Sequence, residues 1–495
     1  MSAVWGEITA SEIFSLITGQ TISGDPQTPF AGLSTDSRTI KRGELFWVLK
    51  GERFDGHDFV QKAVKAGAAG VVVQKRNFLQ KPLAGNPVII TVDDTLKALG
   101  RFARWWRQQH DVRVLAITGS TGKTTTKEMA AGILELDKKT LKSPGNFNNL
   151  IGLPLTLFKI DRKDRNVVVE MGMNRPGEIE HLTEIAGPDA GVITNAGMAH
   201  LEGFKDLEGV ARAKVEMIRK ISSDGRVALN GDDALLLKTS SGLGKEIITF
   251  GLNENNDIRA CRIRNFQREG ISFELMYQRD SRLVRLKVPG MYNVLNALAA
   301  AAGCICLNIP QEQIVEGLSR YNGLNGRFEL IPLRGDILLV DDTYNANPSA
   351  LKAALASIKT LVEDGGRIIV GLGEMMELGD ITASAHRVAG RRVAELGAEF
   401  FFAMGDHAHY MVSGALRAGM SPDHVRVVAG ATDMIEEIKK KMVEKDLIFL
   451  KGSHKTGLKT VVDGLRNEDK LISPTMHHSF RPSLPDLKVQ KLQEW

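Results

Sequence analysis

Residues 115–126 read LAITGSTGKTTT, and residues 113–118 before the first glycine, RVLAIT, are an apolar run with strand character. The apolar spacing after the second glycine predicts a helix over 123–136. Strand, glycine loop and helix in that order form a phosphate cradle. Gly119 and Gly122 let backbone N–H groups approach phosphate oxygens, and the helix N-terminus favours their charge. Lys123 can reach the β- and γ-phosphates, and Thr124 can hold Mg²⁺. The fuller pattern G-x-x-x-x-G-K-[ST] would require glycine at 117, where Ile117 stands, so the loop is a shorter variant. A glycine turn with a surface lysine is the plainer alternative, but it does not account for strand, loop and helix occurring in sequence.

Outward from the cradle, strand and helix alternate. NVVVEM, AGVITN and GRVALN read as strands, with helical stretches at 177–186 and 206–221, which predicts a parallel sheet covered by helices. Between Ile258 and Val288 three strand-like runs adjoin, with Glu269-Gly270 turning between the first two, so an antiparallel extension is expected. Helical stretches at 293–307 and 311–320 follow. Upstream, ELFWVLK, GVVVQ and PVIITV with a helix-like stretch from His57 to Ala66 make a smaller α/β unit. Apolar spacing at Leu96, Leu99, Phe102 and Trp106 predicts a helix over 94–110. After Asn322-Gly323-Leu324-Asn325-Gly326 a third series begins, in which DILLVDD, RIIVGLG, EFFFAM, VRVVAG and DLIFLKG are each followed by a helical pattern. The expected fold class is therefore α/β with three domains. These are a small α/β domain over 1–110, a central P-loop parallel-sheet ATPase domain over 111–324, and a doubly wound Rossmann-like domain over 325–466. The proline-bearing tail, 467–495, is expected to be extended or disordered.

The bulk properties exclude several classes. At 495 residues the chain exceeds one ordinary core, and 43% hydrophobic with 25% charged residues is normal for a globular protein. A net charge of +5 without a Lys/Arg block gives no nucleic-acid arm. Cys261, Cys304 and Cys306 are too few for a disulfide framework, which suits a reducing compartment. Glu7 and Glu12 stand where a secretory signal would be basic and then apolar. The longest apolar run, Ala297 to Leu307, falls short of the roughly 20 residues that a membrane span takes and reads as a buried helix. A cytoplasmic, monomeric protein with no membrane span is expected.

A nucleotide loop alone leaves switches, kinases, motors and ligases open. Glu170 closes the strand NVVVEM, and His200 follows VITNAG; both can reach the sheet edge where the nucleotide metal would sit. Taken singly, Glu170 could equally be an ion-pair partner and His200 a satisfied loop histidine. The GTPase base-reading N-K-x-D motif is absent. Lys214, between Arg212 and Glu216 on a charged helix, reads as a solvated side chain.

With these motifs the chain resembles the Mur ligase family, which includes folylpolyglutamate synthase, across nearly all of residues 1–466. The resemblance implies that Gly119, Ser120, Thr121, Gly122, Lys123, Thr124 and Thr125 bind ATP. It implies that Thr124 helps hold one Mg²⁺ while Glu170 and His200 match ligands of a second. Lys214, 14 residues after His200 in HLEGFKDLEGVARAKVEM, matches a lysine that is carbamylated by CO2. Asn293 and Asn296 in VPGMYNVLNALAAAA match residues that approach the adenine. Arg327 in NGRFE, with Asp342 and Asn347 in LLVDDTYNANPSA, matches positions that bring the third domain onto ATP. Ser37 and Arg38, in STDSRTIKRGELFWVLKGERFDGHDFV, are implied contacts of a UDP-binding first domain. Asn146, Asn148 and Asn149 in SPGNFNNLIGLPLTL are implied to lie near the reacting acyl group, and VGLGEMMELGD with His386 downstream points to the same branch. The implied activity is ATP- and Mg²⁺-dependent amide formation between UDP-N-acetylmuramoyl-tripeptide and D-alanyl-D-alanine, with Lys123, Arg327 and carbamylated Lys214 as the catalytic groups.

Overall fold

Three sheets, of five, nine and six strands, account for the strands of the described residues in a computed structural model that describes residues 4–51, 54–75, 83, 85–198 and 201–471. The first sheet runs, edge to edge, Thr21–Ser23, Val88–Val92, Gly70–Gln74, Leu45–Trp47 and Leu33–Ser34, with only Thr21–Ser23 antiparallel to its neighbour. Val71, Val72 and Val73 are all buried, as expected of a strand covered on both faces.

Arg113–Thr118 lies deep inside the second sheet, between Asn166–Glu170 and Ala190–Ile193, parallel to both. Arg226–Asn230 and Ile247–Gly251 continue the parallel part. Ile258–Asn265, Ile271–Tyr277 and Asp280–Leu286 form the antiparallel extension, and Thr140–Lys142 closes the opposite edge. The alanine-rich helix Met291–Cys306 is buried along almost its whole length, as its uninterrupted apolar run requires.

The third sheet orders as Glu329–Pro332, Leu338–Asp342, Leu447–Lys451, Ile368–Gly373, Phe400–Met404 and Val425–Val428. All pairs are parallel except the first, a hairpin strand at the edge. Apolar clusters cover both faces, centred on Val340, Val370 and Phe449 on one side and Leu339, Ile448 and Leu450 on the other, which is the doubly wound arrangement. The last helix, Leu458–Leu471, runs past the expected boundary at 466. Asn467 to Lys470 contain no helix breaker, and the first proline beyond them is Pro474. The remainder of the expected tail lies outside the described residues.

The first and central units share a core. Helix Thr95–Gln108, capped by Asp94 accepting from the amides of Leu96 and Lys97, buries Leu99, Phe102 and Trp106. Trp5 stacks on Trp106 at 4.6 Å, Phe102 meets Phe158 at 4.9 Å, and Trp5 Nε1 donates to the Phe158 carbonyl at 3.3 Å. Each such aromatic side chain contributes roughly 1.5–3 kcal/mol by burial, so the two units are welded here. The central and third units meet at the phosphate loop, where Arg327 reaches Thr124, and also where Tyr292 packs against Phe328 and Arg268 pairs with Glu363.

Candidate active site

Parallel pairing delivers the site's first residues to one sheet edge. Ile117 pairs with Glu170 and Thr118 with Ile193, so the carboxylate and the loop after Ile193 flank the glycine turn. Gly119 and Gly122 hold φ of 148° and 81°. A Cβ on Gly119 would collide with the Thr194 hydroxyl, and one on Gly122 with the Asn296 amide oxygen. The loop is tied down by Asn195, whose carbonyl accepts from the Ser120 amide and whose Oδ1 accepts from the Thr121 amide, both at 3.0 Å. Ser120 Oγ accepts from the Gly197 amide at 2.9 Å. Lys123 folds back so that Nζ donates to the Gly119 carbonyl at 2.7 Å; burial lowers its pKa, with the Glu170 carboxylate acting in opposition. Thr125 is buried in the first turn of the helix.

A line of hydrogen bonds crosses the site. Arg327 Nη2 donates to Thr124 Oγ1 at 2.9 Å, Thr124 Oγ1 donates to Glu170 Oε2 at 2.9 Å, and Asn148 Nδ2 donates to Glu170 Oε1 at 2.8 Å. The third unit, the phosphate loop, a buried carboxylate and the asparagine loop therefore meet within one network. The Arg327 guanidinium also lies over the Tyr344 ring at 4.1 Å, while its buried Nε has no partner. Beside this line opens a cleft of about 350 Å³, lined by Thr124, Lys127, Glu128, Gly145, Arg327 and Tyr344 among others.

The three asparagines separate in role. Asn148 holds Glu170, and its carbonyl accepts from the Gly172 amide at 2.7 Å. Asn149 Oδ1 accepts from the amides of Gly152 and Ile151, which ties it to the entry of Gly152–Leu157. Asn146 is exposed at the bend.

Lys214 overturns the reading of a solvated helix lysine. Helix Leu207–Lys220 is covered over most of its circumference, from Val210 to Ile218, and the Lys214 side chain is fully buried. Its Nζ has no hydrogen-bond partner. Burial, reinforced by the nearby Lys123 charge, depresses its pKa well below the ordinary lysine value. A buried amine without partners, close enough to Glu170 and Lys123 to feel both charges, is suited to conversion into an anionic carbamate. His200 lies outside the described residues. Among those described, no three His, Cys, Asp or Glu side chains form a ready-made metal cluster. The Thr124 hydroxyl and Glu170 carboxylate are hard oxygen donors, as Mg²⁺ requires when phosphate and water supply the rest of its shell.

Asn293 and Asn296 are buried at the start of Met291–Cys306, with Asn293 Nδ2 donating to the Pro289 carbonyl at 2.7 Å. Asp342 Oδ2 accepts from Lys451 Nζ at 2.6 Å in a buried pair; burial pushes the carboxyl's pKa up while the ammonium pulls it back. Asn347 Oδ1 caps Pro348–Ile358, and Ser349 in that first turn packs against Gly197 over the phosphate loop. Ser37 is buried, whereas Arg38 is exposed and makes a two-pronged pair with Asp36, whose carboxyl is held down to about 2 by that hydrogen bonding. His386 is buried; Nδ1 donates to the Thr382 carbonyl and Nε2 accepts from the Met375 amide, so the neutral ring braces the EMMELGD loop. The residue that sequence reasoning missed is Asn195. Its signal was its place as the first amide side chain after AGVIT, at the edge where Glu170 stands.

The chain matches the descriptions "Mur ligase family, catalytic domain" over residues 29–107, "Mur ligase middle domain" over 117–304 and "Mur ligase, glutamate ligase domain" over 326–454. It is 36% identical over 439 residues to the UDP-N-acetylmuramoyl-tripeptide--D-alanyl-D-alanine ligase of Bacillus subtilis, covering 89% of this chain and 94% of that one. A crystal structure of MurF from Acinetobacter baumannii superposes with a TM-score of 0.82 at 32% identity, over 93% of this chain and 98% of that one. The MurF ligase of Thermotoga maritima in complex with ADP gives 0.77 at 25% identity, over 89% and 98% of the two chains.

Proposed function

This chain belongs to the Mur ligase family, and from that premise we propose that it is the ATP-dependent, ADP-forming ligase that joins D-alanyl-D-alanine to UDP-N-acetylmuramoyl-tripeptide in peptidoglycan precursor synthesis. The relatives that match it over most of both lengths carry that activity in their names. The observation that carries the mechanism is the hydrogen-bonded line from Arg327 through Thr124 and Glu170 to Asn148.

Amide formation from a carboxylate needs a leaving group better than oxide. A carboxylate oxygen of the tripeptide attacks the γ-phosphorus of ATP, ADP departs, and an acyl phosphate forms. The free amine of D-alanyl-D-alanine then attacks the acyl carbon, inorganic phosphate leaves with the carboxylate oxygen, and the nitrogen loses a proton. Positioning and charge neutralisation do most of this work. Lys123, released from the Gly119 carbonyl, stabilises the transferring phosphoryl group. Arg327 brings a second positive charge from the third unit and holds Thr124. Asn148 orients Glu170 and keeps the asparagine loop against the reacting carboxylate. Ser349 and Arg327, arriving with the third unit, cover the phosphate loop and exclude water from the acyl phosphate.

Thr124 and Glu170 would hold Mg²⁺, together with a carbamate on Lys214 and His200; bound there, Mg²⁺ neutralises phosphate charge. Asn293, Asn296, Asp342 and Asn347 are assigned to the adenosine side, and Ser37 and Arg38 to the UDP group. Lys451 occupies Oδ2 of Asp342, and a ribose hydroxyl would be accepted at the other carboxylate oxygen. Among the described residues no helix is long and apolar enough to cross a membrane. The test is ADP release by the purified chain with ATP, UDP-N-acetylmuramoyl-tripeptide and D-alanyl-D-alanine, each omitted in turn. Release must require all three, and release undiminished without the dipeptide would exclude ligation.

A further inference from the structure

The asparagine loop is fastened at both ends, and one fastener lies outside every residue given a role so far. Near its far end Asn148 grips Glu170. At its root the Ser143 carbonyl accepts from Lys127 Nζ at 2.7 Å. Lys127 stands one helical turn beyond Lys123 on Lys123–Glu135, and it is 1% exposed. Fully buried lysines are uncommon because the ammonium is costly to desolvate, so the partners of this one carry information. Its second partner is Glu128 Oε1 at 3.1 Å, and Glu128 Oε2 receives Lys142 Nζ at 2.7 Å, so two ammoniums straddle one carboxylate. Ser143 in turn accepts the Glu170 amide on its hydroxyl at 3.2 Å. Residues 142 and 143 are therefore bolted both to the phosphate-loop helix and to the strand that ends in Glu170. Lys127 and Glu128 also line the cleft that Gly145 and Arg327 border.

We propose that Lys127, seated against the Ser143 carbonyl and Glu128, is a positioning residue for the acyl substrate. It fixes the root of the loop 143–149 to the helix that carries Lys123, so that the carboxylate presented along that loop keeps register with the γ-phosphate. The proposal rests on the ligase reading above and adds a residue whose effect falls on the tripeptide and not on the nucleotide. The helix is continuous from Lys123 to Lys127, so the loop root is held at a fixed offset from the phosphate loop. Losing the ammonium leaves a buried carbonyl without its donor and frees the loop from that helix.

The test compares the parent chain with Lys127→Met, which keeps the aliphatic length without a donor, and with Lys127→Arg, which restores one. If the parent itself makes no UDP-muramoyl-pentapeptide, the ligase reading fails, and that outcome is separate from what the variants show. With an active parent, Lys127→Met is expected to lower kcat/KM for UDP-N-acetylmuramoyl-tripeptide by about tenfold or more. Its KM for ATP and its ADP-induced rise in melting temperature should stay close to the parent values. Lys127→Arg should recover part of the loss. Parent-like tripeptide kinetics in Lys127→Met would overturn the proposal, and so would an equal loss on ATP and tripeptide with no recovery by arginine, the pattern of a merely structural lysine. Should Lys127→Met fail to fold, Lys142→Met carries the comparison, since that ammonium is partly exposed and grips the same carboxylate. It should raise the tripeptide KM with the ATP KM unchanged, and no change in the tripeptide KM would equally overturn the proposal.

Discussion

Replacing Arg327 by alanine removes a side chain that touches the third unit's Tyr344 and the phosphate loop's Thr124 at once. The structure sets the size of the loss. The guanidinium-to-hydroxyl bond at 2.9 Å is charge-assisted and contributes roughly 1.5–3 kcal/mol, and the cation over the Tyr344 ring at 4.1 Å adds roughly 0.5–2 kcal/mol. The side chain is only half-buried, which favours the low end, about 2–3 kcal/mol, or roughly 30- to 150-fold in rate. Because the contact forms when the third unit meets the loop, the loss should fall on kcat. ADP held by the glycines and Lys123 should bind nearly as well as before. The assay is ADP release at saturating substrates, with ADP affinity by calorimetry on the same preparation. Lys in place of Arg should rescue poorly, since one ammonium cannot both stack on Tyr344 and reach Thr124. A kcat within about threefold of the parent, far under the worked loss, would refute the bridging role.

Lys123→Ala should leave a folded protein with ADP formation reduced at least about a hundredfold, and near-normal turnover would sink the cradle assignment. Asn148→Ala should cut ligation while leaving ADP binding largely intact, whereas Asn149→Ala should mainly cost about 1 kcal/mol of stability through its lost hydrogen bonds to the Ile151 and Gly152 amides; the reverse ranking in melting temperature and turnover would disprove the division of roles. In metal-free, CO2-depleted buffer the unfolded Lys214 keeps its proton up to about 10.5, but the folded one releases it earlier. The unfolded state then binds more protons between the two values, so this residue makes stability rise with pH across that window. Lys214→Met should accordingly melt higher than the parent at neutral pH, by a margin that fades as pH approaches the upper value, and a constant or absent margin would contradict the burial argument. Activity should fall on CO2 removal and return with bicarbonate. Because burial has already lowered the Lys214 pKa, the free amine that carbamate formation needs persists to lower pH than an exposed lysine would allow.

Long-period features were legible in the chain. The glycine loop between RVLAIT and its helix, the alternation that makes three sheets, and the antiparallel run from 258 to 288 all follow from apolar spacing and turn residues. Strands too short to show a period were not: Thr140–Lys142 and Leu33–Ser34 owe their place to neighbours, and Glu329–Pro332 ends in a proline that only an edge strand tolerates. Burial was misjudged where a helix is covered on nearly every side. Lys214 sits between Arg212 and Glu216 in sequence, and only packing reveals that it does not meet solvent. The consecutive Asn148 and Asn149 could not be told apart, since loop geometry alone turns one toward Glu170 and the other toward the next helix. The buried pairing of Asp342 with Lys451 was not legible, because Lys451 comes from a strand far along the chain.

The claim on which everything else depends is that this chain activates the tripeptide carboxylate as an acyl phosphate. Label that carboxylate of UDP-N-acetylmuramoyl-tripeptide with ¹⁸O, run the reaction with ATP and D-alanyl-D-alanine, and read the inorganic phosphate by mass spectrometry. Each phosphate released with a new amide bond should carry one oxygen from the tripeptide. Pentapeptide formed alongside unlabelled phosphate would contradict the mechanism, and labelled phosphate with no pentapeptide would contradict the acceptor.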